Sequence, residues 1–197
     1  MSELKSSQMT KSRPTISFIC TFNACRSVVA EHFLRKLLLE KNIESSSRVE
    51  ITSAGVVSTE VSENLRQNRI PEPQFGHGCH HQVIEIASRR GIDISTHRSK
   101  PFDEALAEKA DLIITMEEFQ KREILSNYPH KDGMVFTFRE FFEISGPTII
   151  EDSFTLPEFD SVTGHYAFPY EFDEQAIVAV EECLSQGLNK LCGWFER

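Results

Sequence analysis

The chain has 197 residues, a formal net charge of −9 from 30 acidic and 21 basic side chains, and five cysteines. The acidic balance excludes broad attraction to nucleic acid or to an anionic membrane, so any anion site must be local. No run of about 18 apolar residues reads as a membrane span, the polar start carries no secretory apolar stretch, and five cysteines without a regular framework read as free thiols in a reducing, cytoplasmic compartment.

Residues 1–14 are rich in Ser, Lys and Thr and read as a disordered tail. No Gly, Ser or Pro linker divides the rest, so residues 15–197 are expected to form a single domain. Thr15 to Cys20 is predicted as the first strand, with Ile16, Phe18 and Cys20 on one face and Ile19 on the other. Ser27 to Lys41 follows as a helix, because Val29, Phe33 and Leu37 and then Ala30, Leu34 and Leu38 recur at helical spacing. Val49 to Ala54 is a second strand, and Ser53 falls at its C-terminal end, where open parallel sheets present ligand-binding loops.

From Val56 to Gln82 the chain reads as a long irregular excursion containing Pro71, Pro73, Gly76 and Gly78. Within it, His77-Gly78-Cys79-His80-His81 has metal-ligand chemistry. Adjacent ligands in so short a run need a second, distant ligand group to enclose one ion, and no such group is apparent, so no metal is assigned. Val83 to Arg90 is helical and stops at Gly91, Asp93 to Lys100 is loop, and Pro101 to Ala110 is a further helical stretch. Asp111 to Met116 reads as a buried strand, Glu117 to Asn127 as a helix and Met134 to Phe138 as the fourth strand. Phe138 to Phe172 reads as loop-rich and aromatic, its rings either core packing or a wall for a flat ligand, with core expected for most. Glu174 to Phe195 closes the chain as a helix striped by Ile177, Val180, Leu184, Leu188, Leu191 and Phe195, with Cys183 and Cys192 as small hydrophobes on or beside the stripe. Strands alternating with helices predict right-handed crossovers and one parallel sheet covered on both faces, a three-layer α/β/α domain.

The chemistry concentrates between the first strand and the first helix, in Cys20-Thr21-Phe22-Asn23-Ala24-Cys25-Arg26-Ser27. A helix start offers backbone N–H groups without internal partners and the positive end of the helix dipole, so an oxyanion is stabilised there without a metal. Loop amides, the helix start and Arg26 all favour the thiolate of Cys20. Arg26 can curl back to present a planar two-pronged donor to two phosphoryl oxygens, which a lysine could not do. The loop therefore combines a nucleophile with an oxyanion clamp. Cys25 in the same loop is expected to form a disulfide with Cys20 under mild oxidation.

On these residues the chain resembles the low-molecular-weight protein-tyrosine phosphatases, whose relatives include the thioredoxin-linked arsenate reductases. Cys-x5-Arg-Ser near the start is joined, in order, by Ser53-Ala54-Gly55, by Gly91-Ile92-Asp93 with His97-Arg98-Ser99, and by Ile149-Ile150-Glu151-Asp152. The resemblance covers roughly residues 15 to 195, with insertions near 56–82 and 153–171, and implies a four-stranded parallel sheet in the order 2-1-3-4. It also implies that Ser53 helps hold the loop through Asn23, and that a late aspartate followed by proline supplies a proton. Asp152 matches that segment, with Ser153 where proline is usual. Asp160-Ser161-Val162 is a second candidate, and Asp152 is preferred for its apolar lead-in. Two further departures are Phe22 where the family has glycine and Val28 where it commonly has proline.

The implied reaction is two-step hydrolysis of a phosphomonoester, through a phosphocysteine and without cofactor or metal. Cys20 attacks, Arg26 and the amides of Thr21, Phe22, Asn23, Ala24, Cys25 and Arg26 hold the phosphoryl oxygens, Ser27 assists the thiolate, and Asp152 acts as acid and then base. The substrate is a phosphorylated protein or a small aryl phosphate. Two alternatives remain: arsenate reduction, which would need resolving cysteines after the third strand where Thr115-Met116-Glu117 stands, and a catalytically impaired module that binds phosphorylated partners.

Overall fold

The computed structural model describes residues 13–42, 49–69, 72, 74–145, 158–160, 165–167 and 170–195, with residues 158–160, 165–167, 170–173 and 195 described by backbone alone. Four parallel strands form one sheet in the order β2-β1-β3-β4: β1 Thr15–Cys20, β2 Glu50–Gly55, β3 Leu112–Thr115 and β4 Val135–Thr137. The central strand β1 is buried along its whole length, as its unbroken neighbours on both edges and both faces require. Its register sets Cys20 beside Gly55, so the nucleophile candidate lies at the C-terminal edge of the sheet.

The two faces of β1 feed two separate cores. Ile16, Phe18 and Cys20 pack with α1 (Arg26–Glu40), α3 (His81–Arg89) and the long closing helix α7 (Tyr170–Phe195). Ile19 on the opposite face packs with Ala54, Ile113, Val135 and the helices α4 (Glu104–Lys109) and α5 (Glu118–Asn127). This is the three-layer domain implied by the alternating pattern, and each buried Ile, Leu or Phe contributes roughly 1.5–3 kcal/mol to it. The helix ends follow from local chemistry. Asp103 caps α4 by accepting from Leu106 N at 2.9 Å. Gly91, at φ +71°, closes α3 with Gly91 N bonded to Ser88 O at 2.9 Å and Ile92 N to Ala87 O at 3.0 Å.

Several elements differ from the expectation. The excursion from Val56 to Gln82 contains a helix, α2 (Thr59–Gln67), started by Ser58 accepting from Val61 N at 3.2 Å and anchored by the i, i+4 pair Val61 and Leu65. Phe138 begins a helix rather than a loop: α6 (Phe138–Phe142) is set by a reciprocal capping box, with Glu140 N donating to Thr137 Oγ1 at 3.1 Å and Thr137 N to Glu140 Oε2 at 2.7 Å. Further on, β5 (Glu158–Asp160) and β6 (His165–Ala167) pair antiparallel as a separate two-stranded sheet. The helix expected from Pro101 is shorter, because Pro101 pairs with Gly55 before the chain turns into α4. Pro14, assigned to the tail, extends the sheet instead by accepting from Glu50 N at 2.8 Å. Phe138 and Phe141 are core residues, and Phe136 and Phe141 meet Trp194 of α7 edge-on, with ring centroids 5.6 and 5.9 Å away.

Candidate active site

Cys20 ends β1 and is 4% exposed. Its Sγ lies 3.0 Å from Ser27 Oγ in the first turn of α1. Asn23 decides how that pair is oriented. Its side-chain nitrogen donates to Ser27 Oγ at 3.1 Å and to Ser53 Oγ at 2.9 Å, while its side-chain oxygen accepts from Lys100 N at 3.0 Å. A main-chain N–H can only donate, so the lysine amide settles which end of the asparagine is oxygen. Because Ser27 Oγ accepts from Asn23, its own hydrogen is left to point at Sγ, where it stabilises a thiolate. Ser53 behaves in the same way, accepting from Asn23 and donating to Glu31 Oε2 at 2.7 Å.

Asn23 is fully buried and sits at φ +52°, the left-handed region that asparagine tolerates better than other non-glycine residues. It is the one described residue of the loop with positive φ, so Phe22 carries no left-handed strain despite standing where glycine is usual. The loop is pinned from behind as well. His97 Nε2 lies 2.9 Å from the main-chain oxygen of Asn23 and must donate to it. Burial holds the His97 pKa below its ordinary value, outweighing that bond and the nearby Glu31 carboxylate, which act in the other direction. Gln120 donates to Thr21 Oγ1 at 3.1 Å while its own oxygen accepts from Met116 N and Glu117 N, both at 3.0 Å. Gly55 has no room for a side chain, since an added Cβ would fall 2.7 Å from Thr21 O and 2.6 Å from the Phe75 ring.

The Arg26 guanidinium is 11% exposed and forms a close ion pair with Glu117, at the start of α5. Burial disfavours its charge, but Glu117 and the neighbouring Cys20 and Cys25 outweigh this and raise its pKa. Glu117 is a residue that the linear pattern does not single out, because it lies 91 positions from its partner. Cys25 occupies the position before α1, its carbonyl accepting from Val29 N at 3.0 Å. Val28, where proline is common, is completely buried in α1. Cys20, Thr21, Phe22, Asn23, Ala24, Cys25, Arg26, Ser27 and Ser53 thus converge at one end of the sheet. Asp152 and Ser153 lie outside the described residues, and Asp160 is described only as backbone of β5. Among the described residues no three His, Cys, Asp or Glu side chains converge on a metal position, the 77–81 run included. No helix among them is long and apolar enough to cross a membrane. A cavity of about 680 Å³ between Gly55, Phe75, Phe102, Glu123 and Tyr128 adjoins the loop through Gly55 but is lined by neither Cys20 nor Arg26.

The network predicts its own fragility. Asn23→Ala removes two donors and an acceptor from a buried cluster, at about 1–3 kcal/mol for each group left unsatisfied, and places alanine in a left-handed conformation costing about 1–2 kcal/mol. We expect a loss of several kcal/mol in urea unfolding together with a fall in turnover. Asn23→Gly should recover the conformational part alone and fall between the two.

A model of the low molecular weight phosphotyrosine protein phosphatase family matches residues 15–191. The "Probable low molecular weight protein-tyrosine-phosphatase EpsP" of Ralstonia nicotianae is 33% identical over 68% of this chain and 77% of its own length. Arsenate reductase 2 of Staphylococcus epidermidis is 30% identical over 53% of this chain and 60% of its own. Among solved structures, the low molecular weight protein tyrosine phosphatase of T. tengcongensis superposes with a TM-score of 0.66 at 26% identity, covering 90% of this chain and 99% of that one. A mutant of YwlE from Bacillus subtilis shares the fold, with a TM-score of 0.66 at 24% identity over 91% of this chain and 99% of that one. With a family model spanning nearly the whole described domain and a loop built around Cys20, Arg26 and Ser27, the chain belongs to the low molecular weight phosphotyrosine protein phosphatase family.

Proposed function

We propose that the protein hydrolyses phosphotyrosine in proteins, in the cytoplasm, with Cys20 as nucleophile. The family acts on phosphorylated protein or small phosphate substrates. The observation that carries the reading is the chain of hydrogen bonds that aims the Ser27 hydroxyl at Cys20 Sγ, 3.0 Å away, within the loop that also bears Arg26. In the first step Cys20 Sγ attacks phosphorus in line as the P–O bond to the leaving group breaks, and Asp152 gives that oxygen its proton. Arg26 and the amides of residues 21–26 take the charge of the equatorial oxygens. Asp152 then removes a proton from water, which displaces Cys20 from phosphorus while Ser27 donates to the departing thiolate. For Arg26 to reach the phosphoryl group it shares or exchanges its bond to Glu117, so Glu117 is a positioning residue in this scheme. The reductase alternative lacks the resolving cysteines it would need after β3, since the turn there holds Met116 and Glu117 and no cysteine lies between Cys79 and Cys183.

Turnover of para-nitrophenyl phosphate and of a tyrosine-phosphorylated peptide in EDTA tests the proposal. Hydrolysis of both, with a phosphorylated Cys20 trapped on rapid acid quench, is the expected result. Tight binding of the phosphopeptide with no release of inorganic phosphate would instead make the protein a binding module, with Phe22 and Ser153 the residues to revert first.

A further inference from the structure

Cys79 has no part in the scheme above, yet it is 9% exposed and lies in the same contiguous buried cluster as Cys20. Its placement follows from main-chain bonds. Gly76 N donates to Ser99 O and Ser99 N to His77 O, both at 2.8 Å, so the residues just before Cys79 run along the 97–100 segment. That same segment supports the phosphate loop through His97 on Asn23 O, at 2.9 Å, and Lys100 N on Asn23 Oδ1, at 3.0 Å. The loop and the Cys79 segment therefore flank one shared support. We propose that Cys79 is a resolving thiol for Cys20, closing a Cys20–Cys79 disulfide when peroxide oxidises the nucleophile.

The chemistry balances in two steps. Hydrogen peroxide takes the Cys20 thiolate to a sulfenic acid, releasing hydroxide. The Cys79 thiol then attacks that sulfur, forming the S–S bond and releasing water. Two electrons leave the thiol pair and reduce one peroxide. Burial first, and then the charge of Cys20, push the Cys79 thiol up to about 12, while Arg98 opposes them. A protonated, shielded thiol is a poor target for peroxide and survives the first step. Once Cys20 is a neutral sulfenic acid its repulsion is gone, and Arg98 and the start of α3, two positions on, offset part of the burial that holds Cys79 protonated. Cys25 is the competitor for the same sulfur. It is half-buried at the position before α1, and the variants below separate its disulfide from that of Cys79.

This inference rests on Cys20 being the reactive thiol, and mass reads it without reference to turnover. The full-length protein is treated with hydrogen peroxide, quenched, alkylated under denaturing conditions and cut with trypsin without reduction. Cys20 and Cys25 fall in one tryptic peptide, residues 12–26, and Cys79 in another, residues 70–89. We expect these two peptides joined, lighter by two hydrogens than their sum, in the parent and in Cys25→Ser, and separated by dithiothreitol. In the Cys25→Ser background, adding Cys79→Ser or Cys79→Ala should abolish the joined species and convert Cys20 to sulfinic acid, with loss of the dithiol-recoverable activity. Cys79→Ser alone should leave turnover under reducing conditions at the parent level. Alkylated Cys79 beside sulfinic Cys20 in oxidised Cys25→Ser would overturn the proposal. A joined pair in a protein without phosphatase activity would uphold the switch and reject the function; turnover without a joined pair would do the reverse.

Discussion

Cys20→Ser is expected to abolish hydrolysis while leaving binding of a phosphate analogue intact. A serine hydroxyl is a far weaker acid and a poorer nucleophile than a thiol, so covalent attack fails, and loss of a nucleophile from covalent catalysis costs about 10⁶-fold in kcat. The anion site itself should survive, because in the proposed scheme loop amides and Arg26 rather than sulfur hold the phosphoryl oxygens. Arg26→Lys should lower both binding and turnover, since a point-charge ammonium cannot replace the two-pronged donor and the clamp acts on ground and transition states alike. Lysine in this position is also a poorer partner for Glu117, which would be left partly unpaired in a site only 7% exposed. Calorimetric titration with inorganic phosphate beside kcat for para-nitrophenyl phosphate separates the two variants. Unchanged turnover in Cys20→Ser would remove Cys20 from the mechanism.

The second large effect concerns the acid. Asp152→Asn should slow phenyl phosphate by about 10²–10⁴-fold, because a basic leaving oxygen needs its proton in the transition state. The activated nitrophenyl ester should lose less in its first step, and since the second step also lacks a base, phosphoenzyme should accumulate. Asp160→Asn should stay within a few fold of the parent, as a carboxylate that transfers no proton to or from the reacting groups contributes little to the chemical step. A phosphoenzyme burst in Asp160→Asn and none in Asp152→Asn would transfer the role to Asp160. If neither variant changes either step, the proton comes from elsewhere and the scheme loses its acid.

What the linear order determined about this protein is its local chemistry. The alternation Ile16, Phe18, Cys20 against Ile19 foretold that both faces of β1 are covered, since strand side chains must alternate, while the division into two clusters is seen only in the fold. The run from Cys20 to Ser27 offered a candidate nucleophile, a candidate clamp and a helix start within eight residues, because all three are neighbours in sequence. Legible but unread were Ser58 with Val61 and Leu65, and Thr137 with Glu140, whose capping signals mark α2 and α6. Only the tertiary structure decided what surrounds the loop. Glu117 reaches Arg26 from 91 residues away, His97 reaches Asn23 from 74, and Gln120 reaches Thr21 from 99. Cys79 joins the cluster of Cys20 in the same way, although the run 77–81 in which it stands was weighed only for metal-ligand chemistry and assigned none. The physical reason is that periodicity and capping act over one or two turns of chain, whereas a buried charge or amide is satisfied by whichever group the folded sheet carries up to it.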